Sequence, residues 1–318
     1  MKYLGCALMI ATLALSGGCG DIRPQPLRVP AASVPRFLRV KLTGQAAPVR
    51  VPLEEYVRGA MLSEFAPPGG DPADVERMLE VQAVIARTYA AAHAGRHQSE
   101  GYDLCSTTHC QLYQPGRLKT SSWAPLAVEA SEHTAAQILW FDGAPASALF
   151  HADCGGHTSA AGDVWGGTTR PYLAGITDDG TAGSAHASWR YEVGRTELAA
   201  ALNADQRTRV GGQFRDIRVT QRDEGGRALL VVLNGTREPV IRGEELRAVL
   251  SRTFGAKAIR STRFEVTRSG QRFVFTGRGF GHGVGLCQAG AYARLKAGAK
   301  PEQVLARYYP GTRLIVMR

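Results

Sequence analysis

Several familiar signals are missing from this 318-residue chain. After residue 20 no run reaches the ~18 apolar residues that a membrane-spanning helix needs, so the sequence predicts no such helix there. No Gly-x-Ser-x-Gly elbow occurs, which argues against a serine hydrolase with an α/β-hydrolase fold. No Gly-Lys-Ser/Thr follows a glycine-rich loop, and this excludes a phosphate-binding P-loop.

Acidic residues are also comparatively few, with 28 Asp and Glu against 38 Lys and Arg, a net charge of +10. The cations are scattered rather than clustered or interleaved with aromatic residues, so we expect no nucleic-acid partner. Anionic envelope polymers or lipid head groups are the expected partners of this basic surface. A composition of 44% hydrophobic and 21% charged residues is globular, and the length suffices for one large domain or two closely packed lobes.

The N-terminal residues indicate export. Residues 1–18 combine a positive start, a short apolar stretch and small residues, as in a secretory signal peptide. Cys19 follows directly and predicts a lipid anchor as the only membrane attachment; plain secretion is the alternative, because Leu15 lies one position upstream of the usual leucine. Residues 19–36 are proline-rich and predict a tether. The folded part is then 37–318.

A glycine-rich loop at 277–291 is the most distinctive stretch of the chain. It has five glycines at two-residue spacing around His282. The residues before it, 273–275, predict a buried strand, and 289–297 predict a helix. A dinucleotide site is excluded because the next strand-like run, 313–316, brings no acidic residue. The loop therefore cradles another ligand or makes a tight crossing between strands.

Four motifs follow one another along the chain. They are Leu53-Glu54-Glu55-Tyr56-Val57-x-Gly59-x-x-x-Ser63-Glu64, Gln82-Ala83-Val84-Ile85-Ala86-Arg87-Thr88-Tyr89, Gly279-Phe280-Gly281-His282-Gly283-Val284-Gly285-Leu286-Cys287-Gln288-x-Gly290-Ala291, and Arg307-Tyr308-Tyr309-Pro310-Gly311-Thr312. In this order they resemble the SpoIID/LytB family. The resemblance runs from about Leu38 to Leu314. It implies an α+β fold in which mixed strands and helices form a single large catalytic region with a cleft. Residues 159–260 match less well and are interpreted as an α+β insertion.

Glu64 is the predicted catalytic residue. The apolar spacing predicts a helix over 53–64, which places Glu64 at its C-terminus. There the helix dipole disfavours a carboxylate, so we expect a raised pKa. Position alone favours an exposed last-turn residue, whereas the resemblance implies the catalytic acid. Glu54 and Glu55 lie near the helix start and are expected to be structural.

Four further residues are candidates for binding the substrate. Arg87 lies in a helix capped by Asp71. It either forms a salt bridge on the surface or points inward as a cation near the saccharide and Glu64, and the resemblance favours the second alternative. The resemblance also makes Thr158, His282 and Tyr308 candidates for positioning a glycan and stabilising charge.

The region from 97 to 110 is a candidate metal site. His97, Cys105, His109 and Cys110 fall within fourteen residues, and two thiolates with two imidazoles suit tetrahedral zinc. The resemblance implies zinc at Cys105, His109 and Cys110, with His97 or His93 as the fourth ligand. A disulfide between Cys105 and Cys110 is the alternative in an oxidising compartment. Either role is structural.

Cys154 and Cys287 each lie in a glycine-rich loop. They form either a disulfide that joins two halves of a cleft or a pair of buried thiols. A cysteine nucleophile at Cys287 paired with His282 is a further, weaker hypothesis. His151, Asp153 and His157 lie close together in the sequence. We disfavour the interpretation that they form a second metal cluster or, with a nearby serine, a hydrolase triad.

The resemblance implies a lytic transglycosylase that cleaves peptidoglycan glycan strands, in sporulation members strands already stripped of peptides. A lone glutamate lacks the carboxylate partner of ordinary glycosidases but suffices when the nucleophile belongs to the substrate. No cofactor is required for that chemistry. The alternative is a non-catalytic, wall-binding enhancer of an N-acetylmuramoyl-L-alanine amidase; a structural wall-binding lipoprotein is the third hypothesis.

Overall fold

A computed structural model describes residues 34–67 and 69–317. The predicted signal peptide, Cys19 and the tether up to residue 33 lie outside the described residues. Among the residues described, the longest apolar helix falls short of what a membrane crossing requires, as the sequence predicts.

The described residues alternate short strands and helices. The strands are β1 (Phe37–Lys41), β2 (Val49–Pro52), β3 (Leu104–Cys105), β4 (Gln137–Phe141), β5 (Ala144–Pro145), β6 (Phe150–His151), β7 (Trp189–Gly194), β8 (Asp216–Arg222), β9 (Ala228–Asn234), β10 (Val240–Arg242), β11 (Phe264–Ser269), β12 (Arg272–Gly277), β13 (Leu286–Cys287) and β14 (Arg313–Val316). The helices are α1 (Leu53–Glu64), α2 (Pro72–His93), α3 (Arg117–Thr120), α4 (Ala124–His133), α5 (Ala161–Trp165), α6 (Arg195–Asn203), α7 (Gly243–Phe254), α8 (Gln288–Lys296) and α9 (Pro301–Tyr308). The α+β class predicted from the sequence is confirmed.

Helix α2 is the centre of the main core. Its start is fixed by Asp71, whose carboxylate accepts the Ala73 N–H at 2.9 Å, followed by proline at the first helical position. Its residues from Val75 to Ala91 are buried on most sides, because α1, α4, α8 and α9 pack around it. The end of the chain thus returns to the same core as its first helices.

Two long-range strand pairs complete this main unit. Strand β14 pairs antiparallel with β4, and β13 pairs parallel with β6, so that Cys287 lies directly beside His151. A separate small sheet, in the order β2-β1-β3, packs against the start of α1. The glycine-rich loop therefore runs from the second core, described next, into the main one.

A second hydrophobic core is built from the sheets β10-β9-β8 and β11-β12-β7, with α6 and α7. Its boundaries differ from the predicted insertion at 159–260. Val164 and Tyr172 pack on the main core, whereas Phe273 and Phe275 belong to the second. The reason is non-local: β12 pairs along its whole length with β7, a partner some eighty residues earlier that no local pattern reveals.

Candidate functional site

Glu64 is the last residue of α1 and is held from two directions. One carboxylate oxygen, Oε1, accepts the backbone N–H of Leu112 at 2.5 Å. The backbone carbonyl of Glu64 accepts the side-chain amide of Gln288, Nε2, at 3.1 Å. These two donors come from the 105–116 segment and from the start of α8, so three distant parts of the chain meet at this residue. Within 34–67 and 69–317, no arginine or second carboxylate pairs with its side chain.

Burial raises the pKa of Glu64 from 4.5 to about 7, and the hydrogen bond from Leu112 opposes this rise only in part. The direction agrees with the expectation from the sequence, but the cause is different. Removal of water around a partly buried side chain, rather than the end of the helix dipole, is the largest contribution. A carboxyl group with this pKa is protonated in about half of the molecules near pH 7 and can either give or take a proton.

A groove of about 520 Å³ opens beside Leu112. It is lined by Leu42, Thr43, Gln45, Ser106, Thr107, Thr108, Leu112, Tyr113, Gln114, Pro115 and Gly116. Its volume lies within the usual ~300–1,000 Å³ of small-molecule sites. Hydroxyl groups and two side-chain amides along an otherwise apolar wall suit a ligand that carries many hydroxyls, such as a saccharide.

Two buried polar groups close to Glu64 have no protein partner among the described residues. They are the side-chain amide of Gln111, which is 1% exposed, and the hydroxyl of Tyr56. Burial, and more weakly the nearby charge of Glu64, raise the pKa of Tyr56. Buried polar groups in native proteins are nearly always paired, so these two are candidates for contacts to a ligand or to water. Neither residue was among the site residues predicted from the sequence.

His97, Cys105, His109 and Cys110, here called the loop site, are brought together as predicted, and their donor atoms all lie within 4.8 Å of one another. Cys110 Sγ lies 3.3 Å from His97 Nε2, and His109 Nδ1 lies 3.8 Å from Cys105 Sγ and 3.9 Å from Cys110 Sγ. Tetrahedral zinc with its usual bond lengths separates its ligands by roughly 3.3–3.8 Å. The loop site therefore fits zinc.

Two further observations on the loop site bear on the alternatives left open by the sequence. His97 Nδ1 is hydrogen-bonded to Glu100 at 2.5 Å, the outer contact that usually orients a metal-binding imidazole. Cys105 and Cys110 are free thiols, so the disulfide alternative does not describe this structure. His93, the other suggested ligand, instead contacts Ser147 Oγ at 2.9 Å and is not in the cluster.

The glycine-rich loop packs around a buried carboxylate, Asp178, which is 1% exposed. Asp178 accepts hydrogen bonds from the Tyr308 hydroxyl at 2.5 Å, from Arg294 at 3.1 Å and from the Gly180 N–H at 3.2 Å. Gly290 has no side chain because a Cβ there would overlap the Asp178 carboxylate. Asp178 therefore positions α8 and α9 relative to the loop that carries Cys154.

The same chain segments match known proteins. The family model described as Stage II sporulation protein, SpoIID, matches residues 43–141. Residues 43–141, here called the SpoIID domain because they match this model, are similar to that family. This match covers the elements that hold Glu64, Arg87 and the loop site. A second model, described only as a domain of unknown function, matches residues 180–285, most of which belong to the second core.

The relatives extend the similarity beyond the SpoIID domain. An uncharacterized protein of Brachyspira hyodysenteriae is 28% identical over 83% of this chain and 66% of its own length. Stage II sporulation protein D of Bacillus subtilis is 25% identical over 96% of this chain and 84% of its own length. The amidase enhancer of Bacillus subtilis is 25% identical over 74% of this chain but only 37% of its own length. The resemblance to the SpoIID/LytB family inferred from the sequence is thereby confirmed.

Arg87 of the SpoIID domain does not face an open site. Its guanidinium is 0% exposed and makes a two-pronged ion pair with Glu54, with both N–O distances 2.7 Å. Its remaining N–H groups reach the backbone carbonyls of Ala83, Ser131 and Gln137. All five donors are thus occupied within the protein. This corrects the expectation of a cation beside the saccharide. Arg87 instead joins α1, α2 and the end of α4. Glu54, which was expected to be structural, is the ion-pair partner of Arg87.

Thr158 and Tyr308 are also placed away from solvent. Thr158 is 1% exposed, and its hydroxyl accepts the Ile176 N–H at 2.9 Å. Tyr308 is 2% exposed and donates to Asp178, while burial raises its pKa. Both hydroxyl groups are used in contacts within the protein, which argues against the predicted direct contact with a glycan.

His282 is the one predicted binding residue with an exposed neighbour. Its ring lies 5.1 Å from the ring of Trp165, which is 45% exposed, and 5.5 Å from that of His151. Burial lowers the pKa of His282 to about 4, so the ring is neutral at physiological pH. Its Nδ1 accepts the Val284 N–H at 3.0 Å. Trp165 was missed in the sequence because a single tryptophan gives no periodic signal.

Cys154 and Cys287 are buried free thiols rather than a disulfide. Cys287 is 0% exposed, and burial raises its pKa well above the usual value for a thiol. His282 uses Nδ1 within its own loop and makes no hydrogen bond to Cys287. The weaker hypothesis of a cysteine nucleophile at Cys287 is therefore not supported.

Proposed function

We propose that this SpoIID-domain protein is a lytic transglycosylase acting on peptidoglycan glycan strands, with Glu64 as both acid and base. The supporting observation is Glu64 itself, a partly buried carboxyl group with a pKa of about 7 and no carboxylate partner among the described residues. Glycosidases that use water require two carboxyl groups, one on each side of the scissile bond. A single carboxyl group suits a reaction whose nucleophile is part of the substrate.

In the proposed reaction, protonated Glu64 gives its proton to the glycosidic oxygen that links N-acetylmuramic acid to the next sugar. The bond from that oxygen to C1 breaks, and the Glu64 carboxylate then takes the proton of the C6 hydroxyl of the same N-acetylmuramic acid. The C6 oxygen bonds to C1 and closes a 1,6-anhydro ring. Glu64 ends protonated, and no water is consumed. The Leu112 N–H holds Oε1 throughout, which leaves Oε2 for the substrate.

The location and charge of the protein are consistent with this substrate. The predicted signal peptide and lipid anchor at Cys19 would place the chain in the cell envelope, where its relatives named for sporulation and amidase enhancement suggest a wall-associated role. A net charge of +10 favours association with an anionic wall.

We propose zinc as the occupant of the loop site, with a structural role. His97, Cys105, His109 and Cys110 would hold it, and Glu100 would orient His97. When bound, zinc supplies four bonds that fix the 97–110 segment in place. The chemistry of the reaction does not involve it, because Leu112 rather than a metal ligand contacts Glu64.

The test is to incubate the purified protein with peptidoglycan pre-treated with amidase, in water enriched in ¹⁸O, and to analyse the products by mass spectrometry. We expect anhydro-muramic acid ends without ¹⁸O. Glu64→Gln should lower the rate by ~10²–10⁴-fold, the usual contribution of a general acid or base. Glu55→Gln, an exposed glutamate of the same helix, is the matched control and should retain full activity. Products that contain ¹⁸O, or equal rates for both variants, would refute the proposal.

The similarity to an amidase enhancer supports a second candidate, a wall-binding protein that activates an amidase without chemistry of its own. The two are separated by adding a purified amidase to intact peptidoglycan. If Glu64→Gln stimulates the amidase as well as the unaltered protein does, and neither releases anhydro products, the enhancer function replaces the enzymatic one.

A further inference from the structure

A second group of metal-binding residues lies behind the glycine-rich loop, 0–4% exposed and separate from the loop site. It consists of His151, Cys154 and Cys287, here called the strand site, whose donor atoms all lie within 4.8 Å of one another. The parallel pairing of β6 with β13 places Cys287 directly beside His151, and Cys154 follows three residues after His151.

The imidazole of His151 has a defined tautomer. Its Nδ1 lies 3.1 Å from the carbonyl oxygen of Val284, and because a carbonyl only accepts, Nδ1 must carry the hydrogen. Nε2 therefore presents a lone pair. It is buried and has no hydrogen-bond partner among the described residues. A ring whose other nitrogen donates to a backbone carbonyl is the usual arrangement of a metal-bound histidine.

Backbone N–H groups are directed at both sulfur atoms. Cys154 Sγ accepts from the Gly156 N–H at 3.3 Å, and Cys287 Sγ accepts from the N–H groups of Cys154 at 3.2 Å and Gly290 at 3.4 Å. These donors stabilise negative charge on sulfur. The guanidinium of Arg227, 1% exposed, adds a buried positive charge, and it donates to the Cys154 carbonyl at 2.9 Å.

We propose that His151, Cys154 and Cys287 bind a second zinc ion. Two thiolates and one neutral imidazole are the donor set that a thiophilic divalent ion prefers, and the charges of two thiolates and Zn²⁺ cancel in an environment without water. The ion satisfies the orphaned Nε2. Asp178 Oδ2, which accepts the Cys154 S–H at 3.6 Å in this structure, is a candidate for the fourth ligand.

The strand site lies next to one of the groups that hold Glu64. Gln288, which donates to the Glu64 carbonyl, directly follows Cys287. Zinc bound here would fix the start of α8 relative to β6. The proposal does not depend on the transglycosylase reaction, because it concerns the position of Gln288 and not the proton transfers.

The experiment is to count zinc ions per chain in the purified full-length protein after exhaustive dialysis. We expect two for the unaltered protein and one for Cys105→Ser/Cys110→Ser, which lacks the loop site. Cys154→Ser/Cys287→Ser should also retain one, and His151→Ala should lose the strand-site ion with both thiols intact. Cobalt loaded into the loop-site variant should give the absorption band of sulfur bound to Co²⁺.

A measurement on the loop-site variant alone covers the case in which the strand-site variants fail to fold. Blocking both Cys154 and Cys287 of this variant with a mercurial should release one zinc ion. If that variant binds no zinc, the proposal is overturned. A mass lower by two hydrogens, with Cys154 and Cys287 joined in a peptide map, would overturn it in favour of a disulfide.

Discussion

Replacing Glu64 with glutamine should make the protein more stable while it removes activity. Glutamine keeps the shape and the oxygen that accepts the Leu112 N–H, but it cannot ionise. Burial raises the pKa of Glu64 from 4.5 in the unfolded chain to about 7 in the folded protein. The folded state is therefore destabilised whenever this group is charged.

The size and sign of the effect follow from the two pKa values. Between pH 4.5 and 7 the unfolded chain has released a proton that the folded protein still holds, so stability falls as pH rises through this window. At ~1.4 kcal/mol per pH unit, and with allowance for partial exposure, the loss is about 2–3 kcal/mol. The free energy of unfolding of Glu64→Gln should not fall in this way, because glutamine does not ionise. The two proteins should be equally stable near pH 4, and the variant should be more stable by that amount at pH 8.

Urea unfolding at pH 4, 6 and 8 measures the difference directly. In parallel, kcat/KM of the unaltered protein should fall about tenfold per pH unit above pH 7, because the first step needs protonated Glu64. A variant that is less stable than the unaltered protein at pH 8, or an identical pH dependence of stability in both, would refute the assignment of a buried, raised-pKa carboxyl group. Glu55→Gln again serves as the control and should change neither profile.

Three other changes test the surroundings of Glu64. Arg87→Met should lower the free energy of unfolding by about 3 kcal/mol in urea titrations, because it leaves Glu54 and three carbonyls without their donor; a change below 1 kcal/mol would show that the ion pair is unimportant. Gly290→Ala should cost about 1–3 kcal/mol by overlap with Asp178, whereas Gly183→Ala, which meets nothing within 4 Å, should be neutral. If zinc occupies the loop site as proposed, a strong chelator should lower Tm and slow the reaction, and an unchanged Tm would contradict a structural ion there.

The sequence predicted local structure well where local chemistry decides it. The predicted helix at 53–64 is observed as Leu53–Glu64, and the Asp71 cap is present. The strand at 313–316 is likewise observed. In each case the periodic spacing of apolar residues, a cap or a nearby glycine or proline is sufficient to fix the element.

The failures concern partners that lie far away along the chain. Nothing near Arg87 shows that Glu54, thirty-three residues earlier, occupies its guanidinium. Asp178 lies in a Thr-Asp-Asp-Gly segment typical of an exposed turn, yet it is buried, because Tyr308 and Arg294 are brought to it by α9 and α8. The pKa of Glu64 was predicted in the right direction from the helix dipole, but its burial depends on segments that only the tertiary structure brings together.

Both groups that hold Glu64 in place lie close in the chain to one of the two proposed zinc sites. Leu112, whose N–H contacts the carboxylate, lies two residues after Cys110 of the loop site. Gln288, whose amide contacts the backbone carbonyl, follows Cys287 of the strand site. Because a reacting carboxyl group must be held within a fraction of an ångström, and loops alone hold side chains poorly, a fixed point next to each donor is mechanically useful. Metal ions bound at the two proposed sites would add bonds to the apolar packing of Tyr113, Val284 and Leu286 in the main core, and would so hold both donors more firmly beside Glu64.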